Sequence, residues 1–188
     1  MNENASRPTG VRPRSTLTTG VECRERATPM TVTLHAVDDA DIEFIVGWRN
    51  DPETRSQSRR QHELTWKDLM QAPNGGQRET LIALEGQTRV GYVHLDRLEG
   101  ACELSWVVAP AHRGKGIGRR MVEAAIAIAG CDDVTAEIRP HNEASIRIAK
   151  RCGFALVEAR SDALLWRRPA STGKRAELRA ETLPARAG

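Results

Sequence analysis

The sequence predicts a mixed α/β domain, and two observations carry that expectation. Three β-type runs, 79–84, 89–95 and 102–108, lie close together. Only Glu85-Gly86-Gln87 and a turn at Glu99-Gly100 separate them, which is the spacing of an antiparallel meander. Beyond Pro110 the hydrophobic period lengthens. Residues 114–129 carry Ile117, Met121, Ala125 and Ile128 on one helical face, and strand, helix and strand follow in alternation. A length of 188 residues suits one domain.

The elements follow in order. Residues 31–37 alternate as a strand. Asp38 or Asp39 caps a helix whose apolar positions are Ile42, Ile45, Val46 and Trp48, and Trp48-Arg49-Asn50-Asp51-Pro52 ends it. Thr65 caps a second, short helix through Gln71, stopped by Pro73-Asn74-Gly75-Gly76. The meander comes next, then the 114–129 helix, which Gly130 stops. Residues 134–139 form a strand. Asn142 caps a helix with Ala144, Ile148 and Cys152 on one face, ended by Gly153. Strands at 154–158 and 163–167 complete a sheet of six to seven strands flanked by about four helices, without an internal repeat.

Composition excludes several classes. Hydrophobic residues make up 39% and charged residues 28%, as in ordinary globular chains. The best apolar run, 122–129, is broken by Glu123 and falls short of a membrane span. The net charge of +3 sits in the ends: residues 1–29 and 170–188 each carry +2, which leaves 30–169 at −1. A near-neutral centre with basic tails argues against a nucleic-acid face, and neither tail interleaves aromatics. Both tails read as disordered, flanking a domain at 30–169, with Met30 a candidate translation start. Cys23, Cys102, Cys131 and Cys152 form no C-x-x-C, no His pair has zinc spacing, and the size argues against a disulfide scaffold. No metal is expected. The N-terminus lacks the apolar segment of a signal peptide, so the cytoplasm is the default expectation.

The chemistry concentrates in one loop. Glu103-Leu104-Ser105-Trp106-Val107-Val108-Ala109-Pro110-Ala111-His112-Arg113-Gly114-Lys115-Gly116-Ile117-Gly118-Arg119-Arg120 runs from a strand through three alternate glycines into a helix. Glycines admit a ligand to the backbone, the first helical turn presents free N–H groups, and the basic side chains add positive charge. This is an anion site suited to a pyrophosphate. The loop lacks the Walker pattern, and G-x-G-x-G after an antiparallel meander does not fit a dinucleotide fingerprint. Its R-x-x-G-x-G pattern, at Arg113, Gly116 and Gly118, resembles the coenzyme A loop of the GNAT superfamily of acyl-CoA N-acyltransferases. The segment Asn142-Glu143-Ala144-Ser145…Lys150-Arg151-Cys152-Gly153-Phe154 resembles that superfamily's downstream N-x-A-S…G-F motif. The resemblance covers about residues 31–168.

That resemblance implies a strongly bent sheet whose fourth and fifth strands part to admit acetyl-CoA, the co-substrate. It places pantetheine contacts at Val107, Val108 and Ala109, with the Val108 N–H facing the thioester oxygen. The pyrophosphate falls to Arg113, Gly114, Lys115, Gly116, Ile117, Gly118 and Arg119, with Asn142 and Ser145 alongside. The implied reaction is acetyl transfer to a primary amine. Glu103, at the head of a strand, is the leading general base and His94 the runner-up. Many superfamily members carry an acidic Tyr where this chain has Ala149. Ser145 or a water is the substitute, since a thiol is a fair leaving group.

The first helices should form the acceptor side. There Trp48, Arg49, Asn50, Arg55 and Trp66 resemble the pattern of amino-sugar N-acetyltransferases that act on nucleotide-linked sugars. Trp can stack on a sugar face, and Arg and Asn can bind hydroxyls or phosphate. Protein N-termini, lysines, polyamines and aminoglycoside-like amines are the alternative acceptors. A non-catalytic acyl-CoA sensor is the alternative of another class. The expected partners are acetyl-CoA and a small amine, with no nucleic acid and no membrane, in a monomer or homodimer.

Overall fold

A computed structural model describes residues 31–72, 75–98, 101–131 and 133–169. The expectations for the two tails and for Met30 lie outside these residues. One seven-stranded sheet has the order β1-β2-β3-β4-β5-β7-β6. Its strands are β1 (Val32–Ala36), β2 (Gln77–Glu85), β3 (Thr88–Leu98), β4 (Ala101–Val108), β5 (Asp133–Ile138), β6 (Ala155–Ala159) and β7 (Leu164–Pro169). The helices are α1 (Asp39–Asn50), α2 (Pro52–Gln57), α3 (Trp66–Leu69), α4 (Ile117–Ala129) and α5 (Glu143–Arg151), with a 3₁₀ turn at Pro110–His112. The mixed α/β class and the meander agree with expectation.

Two details differ from the sequence reading, and a third, the strand order, goes beyond it. A further helix, α2, starts directly after α1, because Asp51 closes one helix and caps the next with Pro52 at its first position. Helix α4 starts at Ile117 rather than Gly114, since Gly114 and Gly116 sit at φ +76° and +74°. Strand β7 inserts between β5 and β6.

The cysteines also pair. A disulfide joins Cys102 and Cys131, whose Cα atoms are 6.0 Å apart. It is one bridge rather than a scaffold. The parallel β4–β5 register sets Cys102 beside Val134, so the residue leading into β5 meets the start of β4. Cys152 is the free thiol among the described residues, and burial pushes it up to about 11.

Strands β2, β3 and β4 present two unlike faces. Leu81, Val93, Leu95 and Leu104 pack with Met121, Val122 and Ala125 of α4 in the main core. The alternate residues fall into three cross-strand rows, Arg78–Asp96–Glu103, Thr80–His94–Ser105 and Ile82–Tyr92–Val107. The period of two puts these rows on one face, opposite the core. A second apolar cluster of Ile45, Leu64, Leu69, Ile82 and Tyr92 seats α1 and α3 beside that face. Asp38 anchors α1 with a capping box, accepting from the Asp41 N–H at 3.1 Å. No helix among the described residues is long and apolar enough to cross a membrane.

Candidate active site

The ladder between β4 and β5 is short. Ala101, Cys102 and Glu103 pair with Asp133, Val134 and Thr135, and no pairing follows, although β4 runs on to Val108 and β5 to Ile138. On its other side β4 stays paired with β3 as far as Val108 opposite Gly91. The sheet therefore opens between its fourth and fifth strands. Beyond Glu103 the β5-facing edge of β4 is left for another partner. A cavity of about 670 Å³ fills this opening, lined by Val107, Val108, Gly116, Gly118, Glu103 and His94 among others.

At one end of the cavity the chain turns into α4. Gly116 caps that helix with no side-chain hydrogen bond, so the first-turn N–H groups have no side-chain partner. A Cβ at Gly114 or Gly116 would meet nothing within 4 Å, so their positive φ, not crowding, calls for glycine. Gly118 differs: a Cβ there would come within 2.7 Å of Ile148 and 3.1 Å of Val108, so glycine lets α4 approach α5 and β4. Arg113, Ile117, Arg119, Asn142 and Ser145 also line the cavity. These elements fit a pyrophosphate-bearing ligand: an uncapped helix of 13 residues and an open glycine backbone, with Arg119 beside them paired to Glu123 at 2.8 Å.

Some coenzyme-side expectations are redirected. The Arg113 side chain turns away toward α2, where it pairs with Asp51 at 2.7 Å and Glu53 at 2.5 Å and donates to Thr54 at 2.7 Å. This guanidinium holds the Asp51 carboxyl below its usual range. Ala109 does not line the cavity, and its N–H donates to the Val90 carbonyl at 2.9 Å. Lys115 is likewise outside the lining and donates to the Ala111 carbonyl. The Asn142 side-chain oxygen Oδ1 caps α5, accepting from the Ser145 N–H at 3.0 Å. Ala149, where the family often has Tyr, is fully buried in the core.

The polar sheet face forms the other end. Arg59, from the loop after α2, bridges Glu103 at 3.0 Å and Glu137 of β5 at 2.9 Å. Burial pushes the Glu103 carboxyl up; Arg59 opposes that, and the Asp96 and Glu137 carboxylates add to it. Asp96 itself is buried in a two-point pair with Arg78. His94 is 6% exposed, with Nδ1 2.8 Å from the Thr80 hydroxyl. Burial, then the guanidinium groups of Arg78 and Arg49, holds its imidazole well below the ordinary value. It stays neutral at physiological pH and is a weak base. Tyr92, the single tyrosine, lines the cavity with its ring centre 5.0 Å from that of His94 at 61° between the planes, and burial raises its phenol.

Of the five residues expected on the acceptor side, Arg49 alone lines the cavity. Trp48 packs on Phe44 at 5.8 Å, and both it and Trp66 pack against the second apolar cluster. Asn50 holds the Leu64 backbone with two hydrogen bonds of 2.9 Å, and Arg55 pairs with Glu63. Arg59, Tyr92, Asp96 and Glu137 carry no site assignment from the sequence. The signal for Tyr92 and Asp96 is present in the alternation Tyr92-x-His94-x-Asp96 and Glu103-x-Ser105-x-Val107. Arg59 stands with Arg55 and Arg60 in a basic cluster, a signal of charge that does not name its carboxylate partners.

A family model described as an acetyltransferase (GNAT) domain matches residues 31–155, and the chain belongs to this family. An uncharacterized protein of Mycobacterium leprae is 33% identical over 100 residues, which is 49% of this chain and 27% of the relative. The chain thus matches about a quarter of that longer protein. Solved structures share the fold. A spermidine N-acetyltransferase from Vibrio cholerae, in complex with CoA and spermine, has a TM-score of 0.62 at 18% identity, covering 74% of this chain and 95% of that one. An acetyltransferase described as putative, from Salmonella typhimurium with its cofactor acetyl-CoA, has a TM-score of 0.60 at 22% identity, covering 77% and 96%.

Proposed function

We propose that this protein is an N-acetyltransferase that moves an acetyl group from acetyl-CoA to a primary amine, with Glu103 as general base. One observation carries the reading. A half-buried carboxyl, pushed up from its ordinary value by burial, sits in the same cavity as the parted strand edge and the uncapped helix. The coenzyme's amides would pair with the free edge of β4 at Val107 and Val108, and its pyrophosphate would lie on the first turn of α4. The amine enters mostly as ammonium and must lose a proton before it attacks. Glu103 accepts that proton, directly or through water. The nitrogen bonds to the thioester carbon, the carbon–sulfur bond breaks, the sulfur leaves with the electron pair, and the nitrogen's second proton passes to that sulfur, directly or through water, to give the free thiol. The Val108 N–H would stabilise the oxyanion. Holding both reactants in one cavity supplies much of the rate, so a moderate base suffices.

The acceptor is read as a small amine, with a nucleotide-linked amino sugar as the finer reading. Arg49 supports it; Trp48 and Trp66, outside the cavity, do not. Incubation with acetyl-CoA and a panel of amino sugars, polyamines and peptides, followed by assay of free thiol, tests the activity. Amine-dependent thiol release is expected. Tight coenzyme binding with no release for any amine would instead make the protein an acyl-CoA sensor.

A further inference from the structure

Arg49 ends α1 with its side chain buried at 6% exposure in the cavity wall. Its NH2 group donates to the Arg60 carbonyl, which ties the loop after α2 to α1. Its NH1 group is buried with no hydrogen-bond partner. Among the described residues it forms no ion pair, although nearby Arg78, Arg59 and Arg113 are all matched with carboxylates. The charges it feels are those of Tyr92, Arg60 and Arg55, none of them a standing anion at neutral pH. A buried, uncompensated guanidinium is costly and is normally matched by an anion. A structural role at the helix end explains NH2 and leaves NH1 unexplained.

A second orphan lies in the same wall. His94 Nε2 is buried without a partner, while Nδ1 is engaged by Thr80. Arg49 acts electrostatically on both His94 and Tyr92, so the two unpaired groups share one neighbourhood. The coenzyme side has its own anion site at α4. The opposite electrostatic need sits at Glu103 and Glu137, whose shared cation is Arg59, itself half exposed.

We infer that the acceptor carries an oxyanion, a carboxylate or a phosphate, beside its amine, and that Arg49 binds this group in the cavity wall near His94. The inference rests on the acetyltransferase reading and adds the substrate class to it. The amine end lies toward Glu103 and the acid end toward Arg49, so a plain amine or polyamine leaves the guanidinium unpaired. Arg49 thereby becomes a specificity-determining residue.

Matched acceptors test this on the whole protein saturated with coenzyme A or acetyl-CoA. One arm compares 4-aminobutyrate with butylamine, a second O-phosphoethanolamine with ethanolamine, and a third glucosamine 6-phosphate with glucosamine. Calorimetric affinity and kcat/KM are both read. The acid-bearing member of at least one arm should exceed its neutral partner by roughly tenfold to a hundredfold, and that arm identifies carboxylate or phosphate. Arg49→Met should erase the difference while coenzyme A affinity, read by a separate titration of the coenzyme-free protein, stays unchanged; Arg49→Lys should restore part of it. Should Arg49→Met fail to fold, the wild-type pairs and Arg49→Lys still decide. Equal use of both members in every arm overturns the inference, as does failure of all acid-bearing members to bind. Neither result touches the acetyltransferase reading, which falls only if acetyl-CoA does not bind or no amine releases thiol.

Discussion

The two ends of the cavity are built from different materials. The end proposed for the coenzyme is backbone: two glycines at positive φ, an uncapped helix start and a strand edge freed where β4 and β5 part. The acceptor end is side chains, drawn from α1, the loop after α2, β2, β3, β4 and β5. A backbone site needs one contiguous stretch with the right dihedrals, and it serves a ligand that many related enzymes share. A side-chain site is distributed along the chain and can be rewritten residue by residue, which suits an acceptor that varies.

Mutations at the two ends should therefore fail in different ways. Glu103→Gln should produce the largest effect, a loss of turnover of about 10²–10⁴, with acetyl-CoA affinity unchanged by calorimetry. The pH dependence sharpens this. A base must be deprotonated, so activity rises with pH through the pKa of Glu103. Burial raises that value, so the ascending limb of kcat/KM should be shifted upward from that of an ordinary glutamate and vanish in Glu103→Gln.

Gly116→Asp should do the reverse. It forces a side chain into a left-handed position and sets a negative charge where the coenzyme's phosphates are expected. Acetyl-CoA affinity should fall by roughly 100-fold. The added Cβ meets nothing within 4 Å, so far-UV circular dichroism should stay native.

Gly91→Ala tests the strand edge through stability. Its Cβ would collide with the Val107 carbonyl and lie 2.8 Å from Met121. A loss of about 1–3 kcal/mol is expected, read as a drop of several degrees in melting temperature. The smallest effect should come from His94→Gln. A neutral, buried imidazole is a poor proton acceptor, so kcat should change by less than about tenfold and the ascending pH limb should stay in place. A displaced limb would move the base to β3.

The same contrast governs what the sequence disclosed. The meander, the glycine loop and the capped α5 were legible because each is local: alternation, dihedral need and an Asn at a helix start. The α1–α2 junction was missed because one residue, Asp51, ends one helix and starts another. The W-R-N segment had the right neighbourhood and mostly the wrong contacts, because Trp48 is spent on Phe44 and Asn50 on the Leu64 backbone. Which face of a helix end points into a cavity depends on how the helix seats on the sheet, and spacing alone does not encode that. Arg59 reaches Glu103 across 44 residues, and the Cys102–Cys131 bridge needs the parallel register of β4 and β5.

The pairing of Arg113 with Asp51 and Glu53 ties the coenzyme loop to the first turn of α2, some 60 residues earlier in the chain. Asp51 is also the N-cap of α2, accepting from the Thr54 N–H at 3.0 Å. In the proposed function the two substrates would share this joint. If coenzyme phosphates draw Arg113 back, α2 loses a clamp. By thermodynamic reciprocity an acceptor that steadies α2 must then alter coenzyme affinity by the same factor. Titrating each ligand in the presence and absence of the other measures this factor, and Arg113→Gln should bring it to one.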